Sequence, residues 1–336
     1  MSLEPVTRYE SEAGARIYRI QVRVFPMLVA NVYLVIAGDY VALVDTGSGL
    51  GESDDHIRSG IEQIRDEWGE QLGWSDIKRI VVTHGHVDHY GGLGVVRDQT
   101  SAPVAVHELD WRVLTNHEER LVLSSRAISS FLWRAGVSEA HHASLMGMYG
   151  WSKGLFRSVE VETMLHDGDL LDDLMLVHHT PGHCPGQVCL QIGDVLLSAD
   201  HVLAHTSPHM APESITPSTG LRHYLESLRS IAAVPNIRLT LGGHEEPIYD
   251  LYGRIAQIEE SHKRKLDRLL ATCVEPHTIN ELARAIYPDV ASYNILLALE
   301  EVGAHVEYLD QHGALAIANL DEVAADEHAA PQYRRL

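Results

Sequence analysis

Cysteine is scarce in this 336-residue chain: Cys184, Cys189 and Cys273 are the only three, and no two of them form a CxxC pair. A paired disulfide framework is thereby excluded, and the thiols are expected to be reduced. No apolar run reaches the length needed to cross a bilayer, and the N-terminus lacks the basic-then-apolar layout of a secretory signal, so no membrane span and a cytoplasmic location are expected. Basic residues are also in deficit, with 26 Lys and Arg against 47 Asp and Glu and a formal charge of -21. Such a surface repels polyanions, which makes long nucleic acid a disfavoured partner. The remaining composition, 45% hydrophobic and 22% charged, is that of an ordinary globular protein with room for one large domain and a small appendix.

Histidine, by contrast, is abundant at 22 residues. The organising stretch is Thr83-His84-Gly85-His86-Val87-Asp88-His89-Tyr90-Gly91-Gly92. Four ligand-type side chains fall within six residues, after the strand-like run Ile80-Val81-Val82 and before paired glycines. A strand that ends in His-x-His-x-Asp-His reads as a loop built to hold metal. Alternation sends His84 and His86 to one side while Asp88 and His89 turn toward a second point, which suggests two ions. Two ions need more than four side chains, so partners are expected elsewhere.

Along the chain, residues 1–14 are polar and expected to be loosely ordered. Strands are expected over 16–22, 31–36 and 40–44, the last two joined by a tight hairpin at Ala37-Gly38-Asp39. The third ends in Asp45-Thr46-Gly47. There Asp45 reads either as a carboxylate orienting a metal-binding histidine or as a cap on the following turn. An amphipathic helix over 54–68, with Ile57, Ile61 and Ile64 at helical spacing, precedes the strand 77–82 that carries the histidine cluster. A helix over 93–98 and a strand over 103–106 continue an α/β layered domain. Residues 108–165 form a helical insertion rich in aromatics and methionine, read as a lid over an apolar pocket, a dimer surface, or simply added core. Strands then follow over 175–179, 188–192, 195–198 and 237–241. His178 and His179 fall inside the first of these and read as sheet-face residues.

Three of those later strands are each followed by a ligand-type residue after glycine or a small residue: His183 in Thr180-Pro181-Gly182-His183, Asp200 in Ser198-Ala199-Asp200, and His244 in Gly242-Gly243-His244. These are the missing partners. His84, His86, Asp88, His89, His183, Asp200 and His244 together resemble the dinuclear ligand pattern of the metallo-β-lactamase fold hydrolases. The resemblance runs from about residue 31 to 247. It implies an αββα sandwich, with Asp45 as a structural residue behind the metals. It also implies one zinc on His84, His86 and His183, another on Asp88, His89 and His244, and Asp200 bridging them. Five imidazoles and two carboxylates suit two zinc ions better than magnesium, while iron or manganese in one site is compatible with the same ligands.

The function expected is hydrolysis of an ester, thioester or lactone of a small, anionic-tolerant acyl substrate by a metal-bridging hydroxide, with Asp88 holding its proton. Asp200 stands where true β-lactamases of the family have a cysteine, which turns the reading away from antibiotics. Hydroxyacylglutathione hydrolase shares this ligand set, so thioesters come first. Only 43 positions lie between Asp200 and His244, too few for the large inserted domain of the nucleic-acid-processing branch. The catalytic domain is expected over 15–255. A small winged-helix-like domain over 256–323 is expected to have helices at 279–286 and 293–302 and a hairpin of 306–309 with 314–318, the last dozen residues being frayed. That tail resembles the subgroup containing a small endoribonuclease, which keeps a phosphodiesterase acting on single-stranded RNA as the alternative. Residues 261–336, however, carry 7 Lys and Arg against 12 Asp and Glu, a poor surface for duplex. A third reading is a non-catalytic metal-bound interaction protein. His205, His209 and Tyr249, each shortly after a ligand loop, are candidate substrate contacts, and a homodimer is expected by analogy and from the aromatics of the insertion.

Overall fold

Alternating burial along the first strands establishes the layers. The computed structural model describes residues 3–336; of the opening stretch expected to be loose, Met1 and Ser2 lie outside the described residues. The rest of that stretch is ordered. Thr7–Glu10 (β1) pairs antiparallel with Arg16–Phe25 (β2). The Asp194 carboxylate accepts the Glu12 amide at 2.8 Å and pins the turn between them. Leu28–Ala37 (β3) and Tyr40–Val44 (β4) form the expected tight hairpin, with Ala37 paired to Tyr40 and Gly38 in the turn at φ 61°. Arg79–Val81 (β5), Val104–His107 (β6) and Thr163–Leu165 (β7) then add in parallel, giving a seven-stranded sheet in the order β1 to β7.

A second sheet is built from Leu170–Leu171 (β8), Met175–His179 (β9), Val188–Ile192 (β10), Val195–Ala199 (β11) and Leu239–Gly242 (β12), with β11 and β12 parallel. Period two decides which residue meets which layer. Tyr18, Ile20 and Val22 of β2 turn to one side, where Ile57, Ile61 and Ile64 of the helix Ser53–Trp68 (α1) complete a core. Gly69, at φ 68°, closes that helix. Ile17, Tyr33, Val35, Ala42 and Val44 turn to the other side and share a core with Val177, Val188, Leu190, Leu197 and Leu241 of the second sheet. This is the mixed α/β sandwich expected, and no helix among the described residues is long and apolar enough to cross a membrane.

Three shorter helices, Val87–Tyr90 (α2), Leu93–Arg97 (α3) and Glu108–Thr115 (α4), follow β5 and β6. The sandwich belongs to a first compact unit made of residues up to His117, Phe156–Pro208 and Ser227–Ile255. Glu118–Leu155, His209–Glu226 and Ala256–Leu336 make a second. Its helices are His117–Arg134 (α5), Glu139–Lys153 (α6), Ile279–Ile286 (α9), Asn294–Gln311 (α10) and Leu320–Ala325 (α11), while Leu221–Ala232 (α7) and Leu251–Thr272 (α8) are each divided between the two units. Phe131, Leu132 and Tyr149 of the insertion lie in one core with Leu282, Leu299, Val302 and Val306 of the tail. Helix α9 starts on a capping box in which Thr278 and Glu281 satisfy each other's backbone amides.

Two expectations for the tail are corrected. Residues 306–309 are the last turns of α10 and form no hairpin strand, and Leu315–Ile317 (β13) pairs instead with Tyr333–Arg335 (β14), inside the stretch expected to fray. The wing hairpin that carried the winged-helix likeness is therefore not formed. The α10 pattern prevails because Leu299, Val302, Val306 and Leu309 line one helical face into the core.

Candidate metal centre

Strand ends carry the ligand-type residues to one place. Strand β4 ends at Asp45, β5 leads through Thr83 to His84, β11 ends before Asp200 and β12 before His244. At His86 the chain turns into α2, which brings Asp88 and His89 to His244 while the His89 ring stays 4.1 Å, centre to centre, from that of His84. The candidate ligand atoms of His84, His86 and His183 lie within 4.8 Å of one another, as do those of Asp88, His89 and His244 and those of His84, His89 and Asp200.

Each approach depends on backbone that few residues tolerate. Asp45, Ala199 and Glu245 adopt φ values of 63°, 45° and 64°, left-handed conformations that cost on the order of 1 kcal/mol each and collect at functional sites. Gly243 leaves room for its neighbours, since a Cβ there would lie 2.3 Å from Asp200 Oδ1. Tyr33 donates its hydroxyl to the Gly242 carbonyl at 2.6 Å, and the Asn31 amide donates to the carbonyls of Gly242 and Glu245, holding the His244 loop from β3.

One ring nitrogen of each of three histidines is occupied, which fixes the other. His89 Nδ1–H donates to Asp45 Oδ2 at 2.8 Å, and His244 Nδ1–H donates to the Val29 carbonyl at 2.7 Å. The Thr83 hydroxyl donates to Asp45 Oδ2 at 2.9 Å, so its oxygen takes the His84 Nδ1–H at 3.1 Å. Asp45 Oδ1 accepts the Thr83 amide as well. In all three rings Nε2 is the nitrogen turned to the centre, with His84 Nε2 3.2 Å from His86 Nδ1, the arrangement by which neighbouring acceptors orient metal-binding imidazoles.

The chemistry of these donors fits a pair of divalent cations. Asp200 Oδ1 lies 3.4 Å from His89 Nε2, and Asp200 Oδ2 lies 3.4 Å from His244 Nε2, 3.6 Å from His183 Nε2 and 4.0 Å from His84 Nε2. Asp88 Oδ2 is 3.5 Å from His244 Nε2. Donors about 2.0–2.1 Å from a shared tetrahedral ion stand about 3.3–3.4 Å apart. His89 Nε2 and Asp200 Oδ1 are buried without a well-formed hydrogen bond, a costly condition that a shared cation relieves.

Protons respond to the same field. Burial and the adjacent imidazoles of His89 and His86 hold His84 well below the usual imidazole range. Burial opposes charge on His89 and His244 too, but the surrounding carboxylates outweigh it. Asp200, Asp45 and Asp88 raise His89 well above its usual range, and Asp200 with Asp88 pushes His244 up to about 10. Burial disfavours ionisation of Asp200, yet His244 and His89 pull it well below the ordinary carboxylate range. In ion-free protein at neutral pH, His89 and His244 are therefore protonated, and cation uptake must displace those protons. Zinc titration of chelator-stripped protein is expected to release one proton from each, with apparent affinity rising as pH rises. Calorimetry in two buffers of different ionisation enthalpy measures this, and a heat that does not change with buffer would contradict it.

Among the expected substrate contacts, His205 is exposed and hydrogen-bonded to Glu246, and Tyr249 is exposed. His209 lies in the second unit, 2.9 Å from Glu300. Sequence reasoning missed Thr83 and Asp110. The buried Asp110 accepts the Gly85 amide at 2.7 Å and the Gly186 amide at 2.9 Å. Burial raises its pKa, against the pull of those amides and the Cys184 thiol. Its position just beyond the end of β6, beside the end of β5, was the available signal. A further buried group, His262, Glu301 and His305, occupies the second unit. There Lys265 pairs with Glu301 at 2.7 Å and the two rings hydrogen-bond each other at 3.0 Å, so its charge is met by protein alone.

Comparison with known proteins agrees with this geometry. The profile of the Metallo-beta-lactamase superfamily matches residues 26–271. The chain is 23% identical over 296 residues to the probable metallo-hydrolase YqjP of Bacillus subtilis (strain 168), spanning 84% of this chain and 88% of that protein. It is 30% identical over 182 residues to the acyl-coenzyme A thioesterase MBLAC2 of Homo sapiens, spanning 52% of this chain and 58% of that one. The crystal structure of the metallo-beta-lactamase family protein TTHA1429 from Thermus thermophilus superposes with a TM-score of 0.75 at 27% identity, over 95% of this chain and 98% of that one. The sandwich, the clustered histidines and aspartates and these likenesses together mean that the chain belongs to the metallo-beta-lactamase superfamily and is a metal-dependent hydrolase.

Proposed function

We propose that the protein hydrolyses acyl thioesters of small molecules with two divalent ions, zinc by ligand preference, held by His84, His86 and His183, by Asp88, His89 and His244, and by Asp200 between them. The observation that carries this reading is the placement of Asp200, whose one carboxylate faces four imidazoles at 3.4–4.0 Å. Ions held there supply Lewis acidity toward a carbonyl oxygen and lower the pKa of water. Asp88, half-buried beside His244, accepts the proton of the attacking water. The water oxygen bonds to the acyl carbon, the acyl carbon–sulfur bond breaks, and Asp88 returns the proton to the leaving sulfur, so that the products are a carboxylic acid and a thiol. Likeness to a protein named an acyl-coenzyme A thioesterase favours thioesters over esters and lactones.

The β2–β3 hairpin supports an acyl substrate. Val29, whose carbonyl takes the His244 proton, is two residues from Met27, which is 91% exposed, and next to the exposed Leu28. An apolar tip joined this directly to the residue that holds His244 can cover an acyl chain. Met27→Asp is expected to raise KM for a long-chain acyl thioester roughly tenfold, the loss of about one partly buried side chain, with kcat nearly unchanged. Steady-state kinetics over chain length checks it, and an equal rise for acetyl and long-chain thioesters would refute a role for the tip. The wider test is turnover by zinc-loaded protein across acyl thioesters, esters, lactones and labelled single-stranded RNA. Cleavage of RNA with no acyl turnover would replace this proposal with the phosphodiesterase one.

A further inference from the structure

We infer that Asp110 is a positioning residue. It locks the loop carrying His84 and His86 to the loop carrying His183, and so keeps the three-histidine ion site in shape; the inference rests on reading those histidines as ligands. A carboxylate in the first turn of a helix ordinarily serves that helix's own free amides. Asp110, in the first turn of α4, instead directs both oxygens outward. Oδ2 takes the amide of Gly85, the residue between His84 and His86, and Oδ1 takes the amide of Gly186, three residues after His183. The Cys184 thiol bonds to the same carboxylate.

The fit around that carboxylate is close. A Cβ on Gly186 would lie 2.6 Å from Asp110 Cγ, and one on Gly85 would lie 3.3 Å from it. Both glycines let backbone settle directly onto the carboxylate. The two loops follow strands of different sheets, β5 and β9, so no ladder pairs them. Val188 N–H to the Thr83 carbonyl, at 3.0 Å, ties their roots, and Asp110 ties them beyond that point. Ion binding tolerates ligand displacements of only about 0.2 Å, so loosening this clamp acts first on His84, His86 and His183. Asp88, His89 and His244 are held by α2, Asp45 and Val29 and do not depend on it.

The test is zinc titration of chelator-stripped wild type, Asp110→Asn and Gly186→Ala against a chromophoric chelator, with bound ions counted by mass spectrometry. Asparagine keeps the shape but turns one acceptor into a donor facing an amide N–H, and the Gly186→Ala methyl presses on the same group from the opposite loop. Wild type is expected to take up two ions. Each variant should keep one at wild-type affinity and bind the second at least about tenfold more weakly, the scale on which partners behind metal ligands act. Two ions bound with unchanged affinity, or both weakened equally, would overturn the inference. If Asp110→Asn does not fold, Gly186→Ala decides between the same outcomes. A wild type that binds no zinc would instead sink the ligand reading, and this inference with it.

Discussion

Zinc-loaded Asp200→Asn protein is expected to hydrolyse acyl thioesters on the order of 10³-fold more slowly than the parent, the scale of losing one preorganised electrostatic group in a dry site. The substitution keeps volume and removes charge. Asp200 is the only carboxylate within 4.0 Å of four of the candidate imidazoles, among the described residues, and its two oxygens divide between His89 on one side and His84, His183 and His244 on the other. Removing its charge also lowers the proton affinity of His89 and His244, since Asp200 is the largest attraction raising both. The same protein should therefore retain fewer than two zinc ions by mass spectrometry and release fewer protons on titration. A variant that keeps two ions and loses less than tenfold in kcat/KM would remove Asp200 from the centre of the proposed chemistry.

The second large effect falls on stability. Asp45→Ala is expected to destabilise the ion-free protein by about 3–5 kcal/mol, the cost of leaving a buried charged partner uncompensated. The carboxylate is buried and accepts three hydrogen bonds, two from Thr83 and one from His89. Removing it leaves the buried His89 Nδ1–H and the Thr83 amide without their acceptor and takes away one of the three carboxylates that favour a protonated His89. Alanine must also adopt the φ of 63° found there, which asparagine tolerates better. Asp45→Asn should accordingly lose about half as much. Urea unfolding with chelator present measures both, and a loss below about 1 kcal/mol for alanine would show that the bonds seen around Asp45 carry little of the fold.

Much of the candidate site was legible because its residues follow the strands β5, β9, β11 and β12 near glycine or a small residue, and strand ends are where sheets present ligands. His84 and His86 share one group and Asp88 and His89 another, as the spacing suggested, while His84 and His89 also meet at Asp200 in a third. Asp110 was hidden by an ambiguity: an acidic residue two positions into a helix is what the helix dipole favours anyway, and that ordinary explanation masked the signal of its place just beyond β6. The tail failed for a different reason. Val306-Glu307-Tyr308-Leu309 is a short, mostly apolar run that passes for a strand, yet it continues the helical stripe begun at Leu296 and Leu299, and so short a run cannot separate the two periods. The true partner of β13 stands at Tyr333–Arg335, beyond a further helix, and periodicity does not report pairing at that distance. Nor does it report which surface covers an amphipathic helix, so Phe131 and Tyr149 could be recognised as apolar without their partners in the tail being known.

The second unit draws its core from three stretches separated in the chain, and this sets an order of events during synthesis. When Glu118–Leu155 leaves the ribosome, the helices that will bury Phe131, Leu132 and Tyr149 lie about a hundred residues behind, a delay of roughly 5–20 s at ordinary elongation rates. Over that interval a greasy helical pair stands uncovered, which makes the nascent chain a client for chaperones, and makes a transcript cut short before Ala256 a source of aggregate.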